Sequence, residues 1–281
     1  MQDAFEPLNI AGIILLGAGF LWKARKGHLL IMSGWFLQGF YWVVKAEEYL
    51  AHDDQFNAFG AAMALPVFSF LAFHEYLSHK WDDDYPPLRF VAGAMFIAGL
   101  GYSLFQYIPE LGGIMIELVA HQSVWLANLG GYDFAVGEMD ADGARIVGVP
   151  IMIVLECTAI QAYFIAGSFL FGCRGDIRKR LSAISILVPV VWIVNLFRNA
   201  IVIILVYNNG VEIFDFAHNV LGKGLSLVAL VMLIIVAFIQ VPELYEDING
   251  LFELPWRKGP KHDYLRFVGR LYEGKEESGK E

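Results

Sequence analysis

Apolar runs of bilayer-spanning length recur along this chain, and no other feature restricts its fold as strongly. A run of that kind has to satisfy its backbone hydrogen bonds internally, which in lipid means a helix or a strand of a closed barrel. Seven runs are present, at residues 7–22, 29–44, 59–77, 90–108, 147–172, 183–207 and 217–241. With 57% hydrophobic residues, 17% charged residues and a mean hydropathy of +0.52, the chain has the profile of a polytopic membrane protein. The expected fold is all-α: a membrane helix bundle of about seven transmembrane helices over residues 1–241, followed by a charged cytoplasmic tail at 242–281. Pro66 falls inside the third run, where neighbouring helices tolerate a kink.

Lysine and arginine fix the expected orientation. With the N-terminus outside, the proposed inner loops and tail hold sixteen of the 20 basic residues and the outer side holds three, Lys45, Arg145 and Lys223. Arg198 alone falls within a run. That asymmetry predicts an outer N-terminus and a cytoplasmic C-terminus. Residues 109–146 are too mixed to span, yet Ile114, Ile116, Leu118, Val119, Val124, Trp125, Leu126 and Leu129 give them an apolar face, so they are expected to lie at the outer interface. Asp133, Glu138, Asp140 and Asp142 then read as a solvated acidic loop.

Several function classes drop out early. A formal net charge of −9 without a basic cluster argues against nucleic acid as a partner. Two cysteines, Cys157 and Cys173, are too few for a disulfide framework or a structural zinc site. On one helix, sixteen residues apart, they would be separated by roughly 24 Å and could not pair. The histidines His28, His52, His74, His79, His121 and His262 lack ligand spacing, and the nearest approach to a cluster is His74, Glu75 and His79. No metal or cofactor is expected. A Schiff-base photoreceptor would need a lysine in mid-membrane on the last helix, and Lys223 stands too near its outer end.

The fifth and sixth runs carry residues that are costly in lipid. Glu156 and Cys157 interrupt the fifth, and Arg198 the sixth, where an ionisable group marks function by default. Counted from the outer ends, Cys157 and Arg198 both lie about 13 to 15 Å deep, level on neighbouring antiparallel helices. His218 begins the last run on the same side. An arginine does not deprotonate, but it can favour a thiolate and donate to an oxyanion, the two electrostatic tasks of acyl transfer by cysteine. His218 can move the proton, with Asp215 three residues earlier to orient its ring. Asn195 lies at i−3 from Arg198 and Gln161 at i+4 from Cys157, each placed to support its neighbour. Taken singly, the cysteine reads more readily as a small buried hydrophobe than as a nucleophile, and the arginine about equally as the structural partner of Glu156. The shared depth is what unites them.

Glu156, Cys157, Thr158 and Ala159 in one span, Asn195, Leu196, Phe197 and Arg198 in the next, and His218 and Asn219 leading to Gly222 in the last resemble the exosortase and archaeosortase membrane proteins, most closely the archaeosortase A branch. Thr158 and Ala159 stand where exosortases commonly show Ser and Gly. The resemblance implies a catalytic set of Cys157, Arg198 and His218, and a transpeptidase. Its substrates would be surface proteins, such as an S-layer glycoprotein, with a C-terminal Pro-Gly-Phe motif, a transmembrane helix and a basic cluster. The enzyme would remove that helix and join the new C-terminus to a lipid amine, at an active site on the extracellular side of the cell membrane within residues 147–224. The rival expectation is a carrier or channel using an intramembrane Glu156/Arg198 charge pair.

Overall fold

The computed structural model describes residues 2–51, 53–140 and 143–260. His52, Asp142, His262 and the basic residues beyond Pro260 lie outside the described residues, as do the side chains of Asn219 and Lys223. The chain divides into two compact units, residues 1–97 with 246–281, and residues 98–245. The expected membrane domain over 1–241 takes in parts of both units.

In the first unit, α1 (Gln2–Leu21) packs on α2 (Gly27–Ala51), and α2 on α3 (Gln55–Trp81). α1 and α2 touch through glycine: a Cβ on Gly34 would stand 2.9 Å from the Gly12 carbonyl, so the two backbones approach as small residues allow in membrane bundles. Leu16, Ile31, Trp35 and Leu88 are fully or nearly fully buried between these helices and the start of α4 (Pro86–Tyr107). α3 begins at Asp54, whose carboxylate accepts from the Asn57 backbone N–H at 3.1 Å. It runs on through Pro66 and ends at Asp82, left-handed at φ 53°. Part of the expected tail is folded. α9 (Pro242–Phe252) and a 3-10 turn at Leu254–Trp256 bring Arg257 against α3, where it donates to Ser78 Oγ and Asp83 Oδ2 at 3.0 and 2.9 Å.

In the second unit, residues 109–146 depart from expectation. α5 (Pro109–Asn128) buries Ile116, Val119, Ala120, Ser123, Val124 and Ala127, an i, i+3, i+4 face, against the middle of the unit. That face is part of the core of the unit. Ile114, Leu118, Trp125 and Leu129, included in the expected apolar face, point outward. The acidic loop is a hairpin, so the fold is not wholly helical: β1 (Ala135–Met139), β2 (Ala144–Val147) and β3 (Met152–Ile153) form an antiparallel sheet in that order. β2 buries Ala144 and Ile146 and exposes Arg145 and Val147, the period-two alternation of a strand with one packed face.

The expected fifth span is therefore not one helix. β2, a turn with Gly148 at φ +85°, β3 and a 3-10 turn at Leu155–Thr158 precede α6 (Ile160–Gly172). α7 (Ile177–Asn209) is capped by Asp176, which accepts from Arg178 N at 2.7 Å, and continues through Pro189. After Gly210 the chain forms a π-helix at Phe216–Gly222 and then α8 (Lys223–Gln240). Among the described residues, four stretches are long and apolar enough to cross a membrane: α3, α4, α7 and Val211–Gln240. Phe5–Leu21 and Ile160–Gly172 are apolar but shorter. Large apolar side chains such as Ile193, Phe197, Val228 and Met232 cover the outer faces of α7 and α8, as lipid contact requires.

Candidate active site

The 3-10 turn presents Cys157. Its N–H donates to the Val154 carbonyl at 2.9 Å, and Thr158 Oγ1 donates to the Leu155 carbonyl at 2.6 Å. Ala159 then takes a left-handed conformation, φ 58° and ψ 18°, which ends the turn and lets α6 start afresh at Ile160. A break of this kind leaves turn carbonyls without helical partners. The Cys157 carbonyl finds its partners on α7, where Asn195 Nδ2 donates to it at 2.9 Å and Asn199 Nδ2 at 3.0 Å.

α7 carries Arg198 between those two asparagines. Its Nη2 lies 3.2 Å from Nε2 and 3.4 Å from Nδ1 of His218. An in-plane hydrogen bond to one ring nitrogen would leave the other out of reach, so near-equal distances put the guanidinium over the imidazole face. Phe214 stacks with His218 as well, centroids 5.2 Å apart and planes 16° from parallel. The π-helix carries His218, and Gly222 one turn later makes room for the arginine: a Cβ there would meet Arg198 Nε at 2.8 Å.

Two cavities adjoin these groups. One of about 30 Å³ is lined by Cys157, Asn199, His218, Phe214, Val202, Ile151 and the β3 residues Met152 and Ile153. That is the space of roughly one water molecule. The other, about 400 Å³, lies beside Arg198 and Asn195 and is otherwise bounded by apolar residues of α6, α7 and α8, among them Ala162, Val194 and Leu230. The Cys157 turn lies outside all four candidate spans and ahead of α6. Burial there pushes the thiol above its ordinary range, while Arg198 pulls it down and Glu156 pushes it further up. Burial dominates, so the environment favours the neutral thiol.

A family comparison bears on this arrangement. The family model described as Transmembrane exosortase (Exosortase_EpsH) matches residues 6–235. The chain belongs to the transmembrane exosortase family. No curated protein and no solved structure matches it. Membership, together with the apolar helices, makes the protein membrane-embedded and assigns it to a class of sorting transpeptidases that act on protein substrates with sorting signals.

Within this exosortase, Cys157, Arg198, His218 and Asn195 come together, although Cys157 reaches α7 from a turn and not from a helix at matching depth. Glu156 is exposed and forms no ion pair with Arg198 among the described residues. The charge pair needed by the carrier reading is therefore missing from the described residues. Gln161 is exposed at the start of α6, and Asp215 is exposed three residues before His218. Asn199 escaped the sequence reading. Its signal was present, since Asn195, Arg198 and Asn199 share the i, i+3, i+4 face of an apolar helix. Both cysteines are free thiols, and His74, Glu75 and His79 belong to no potential metal-holding group among the described residues.

Proposed function

We propose that this exosortase is a cysteine transpeptidase of the archaeosortase A type, with Cys157 as nucleophile, Arg198 as oxyanion stabiliser and His218 as the proton carrier. The observation that carries this reading is the convergence on α7: the Cys157 carbonyl hydrogen-bonds Asn195 and Asn199, and Arg198 between them covers the His218 ring. The thiol proton passes to His218, directly or through a water in the small cavity, as sulfur bonds to the scissile carbonyl carbon. The carbonyl oxygen becomes an oxyanion facing the guanidinium. Collapse breaks the C–N bond, and the departing amine of the cleaved helix takes the proton from His218. The amine of a membrane lipid then attacks the thioester carbonyl; the new amide C–N bond forms, the C–S bond breaks, and the proton lost by the amine passes by way of His218 to the Cys157 sulfur, restoring the thiol.

The donor is a surface protein with a C-terminal Pro-Gly-Phe motif and a transmembrane sorting helix, presented at the extracellular face of the cell membrane. In this reading the chain crosses the membrane seven times, with its N-terminus outside and its C-terminus in the cytoplasm. The test is co-expression with a substrate carrying that signal. Cys157→Ala and Cys157→Ser variants are expected to accumulate in the membrane and leave the signal uncleaved, and wild-type enzyme to yield a substrate acyl adduct on Cys157 by mass spectrometry. Full processing by Cys157→Ala ends the cysteine mechanism.

A further inference from the structure

A carbonyl in a turn is ordinarily satisfied by one donor, yet the Cys157 carbonyl takes two side-chain amides from the same helix. Asn195 and Asn199 are buried, one turn apart, and the guanidinium-bearing residue lies between them in sequence. Asn199 is tied in on its other side, since its Nδ2 is 3.5 Å from the hydroxyl of the fully buried Ser123 on α5. These contacts hold one side of the Cys157 peptide toward α7, while residue 157 also borders the small cavity that it shares with His218. Otherwise the turn is held by packing, with Thr158 fully buried and Leu155 and Cys157 against the core; its own hydrogen bonds are local, and the left-handed Ala159 separates it from α6.

We infer that Asn195 and Asn199 form a shared clamp of positioning residues, which acts through the Cys157 carbonyl to set the sulfur against Arg198 and His218. This rests on the transpeptidase reading for its kinetic consequence, but not for its geometric one. Among the described residues both amides bond the Cys157 carbonyl and neither hydrogen-bonds the sulfur. Both fix the peptide from which it projects, and small misplacements of a reacting group are expensive in rate. Because two donors serve one acceptor, either alone retains part of the hold, and losing the second after the first costs a different amount than losing it from the intact clamp.

The experiment uses full-length protein in a Cys173→Ser background, so that Cys157 is the remaining thiol. Asn195→Leu, Asn199→Leu and the double variant keep side-chain bulk and remove the donors. Three quantities are read: steady-state processing of a signal-bearing substrate, the rate of Cys157 alkylation by iodoacetamide across pH, and the thermal midpoint in detergent. Asn199→Leu is expected to lower kcat by about ten- to a hundredfold, with KM held within about twofold. Alkylation at Cys157 should change by about threefold or more, with a midpoint close to that of the parent.

Wild-type kcat and alkylation in both single variants would overturn the clamp. So would losses of kcat that only follow the amount of folded protein while alkylation stays unchanged, or strictly additive effects in the double variant. If Asn199→Leu does not accumulate, Asn195→Leu carries the same comparison. Cys157→Ala separates the two ideas: processing that survives it removes the cysteine mechanism, whereas the alkylation series still reports whether the asparagines govern the thiol.

Discussion

Arg198 lies across the face of His218, with Nη2 almost equidistant from the two ring nitrogens at 3.2 and 3.4 Å. A planar fork can cover the ring and still aim its remaining N–H groups at a developing oxyanion, whereas a lysine is a single point charge on a flexible stem. Arg198→Lys is therefore expected to behave as a loss and not as a conservative change, lowering kcat by about 10²- to 10³-fold. Single-turnover processing in membranes checks this. Near-wild-type turnover in the lysine variant would show that the plane of the guanidinium is not needed.

Gly222 provides a steric probe of the same contact. A Cβ at this position would meet Arg198 Nε at 2.8 Å and Cγ at 3.4 Å, while one at Gly224 meets nothing within 4 Å. Gly222→Ala is expected to push the guanidinium off the histidine and cost about tenfold in processing, because the site tolerates little displacement. Gly224→Ala is the matched control and should leave processing unchanged. Equal activity in the two variants would mean that the arginine relocates without consequence.

How far the site could be read from sequence follows from what each signal encodes. Arg198 was legible because a charge inside an apolar run has few structural excuses. His218 was expected near Arg198, which it adjoins, but its π-helical setting was not expected, since apolar periodicity does not report an extra residue per turn. Cys157 was assigned to a helix because the run 147–172, apart from the polar residues around it, is largely apolar and of spanning length. Its first part nevertheless forms strands and a turn, and a short apolar run reads alike in a buried strand and a buried helix. The Ala144 to Val147 alternation was the available clue, along with Gly148 and Pro150 as punctuation. The packed face of α5 was hard to read because it includes small and polar residues, such as Gly112 and Ser123, and so looks mixed. The hydrogen bond from Trp192 Nε1 to Gln122 Oε1 at 2.7 Å, which satisfies one of those polar groups, is a tertiary fact with no local sequence signature.

Charge around the thiol gives a titration with a definite sign. Burial raises the Cys157 thiol, Arg198 lowers it and Glu156 raises it. Removing the cation therefore moves the alkylation midpoint to higher pH, and neutralising the carboxylate moves it to lower pH. Arg198→Leu should shift the profile up and Glu156→Gln should shift it down, both measured with iodoacetamide in the Cys173→Ser background. Glu156 is exposed, so its effect should also shrink as salt is raised. Shifts in the same direction for both variants would contradict this account.

The left-handed residue that ends the nucleophile turn is an alanine. Ala159 holds φ 58°, a region that costs an L-residue with a Cβ about 1 to 2 kcal/mol and glycine almost nothing. Ala159→Gly is expected to keep processing intact and raise the thermal midpoint slightly, part of the gain being offset by the greater freedom of an unfolded glycine. Ala159→Val, β-branched at the same φ, should lower both. A valine variant with unaltered midpoint and rate would show that the turn does not depend on this conformation.

The first unit holds a buried ionisable pair that the proposed chemistry does not use. His28 Nδ1 on α2 and Glu75 Oε2 on α3 are 2.6 Å apart at 6% and 0% side-chain exposure. The second carboxylate oxygen, Oε1, is buried without a hydrogen-bond partner among the described residues. Desolvating two such groups consumes much of their attraction, so the pair adds little net stability, but removing one partner strands the other. Glu75→Leu alone is expected to cost about 3 to 5 kcal/mol, seen as a clear fall in the detergent melting midpoint. His28→Leu with Glu75→Leu removes both polar groups together and should recover most of that loss, giving a large coupling in the double-mutant cycle. Because neither residue enters the transfer reaction, processing per folded molecule should stay near wild type in the double variant. A double variant no more stable than Glu75→Leu would show that the two side chains are not energetically coupled, and a stable one without activity would assign this pair a part in the reaction itself.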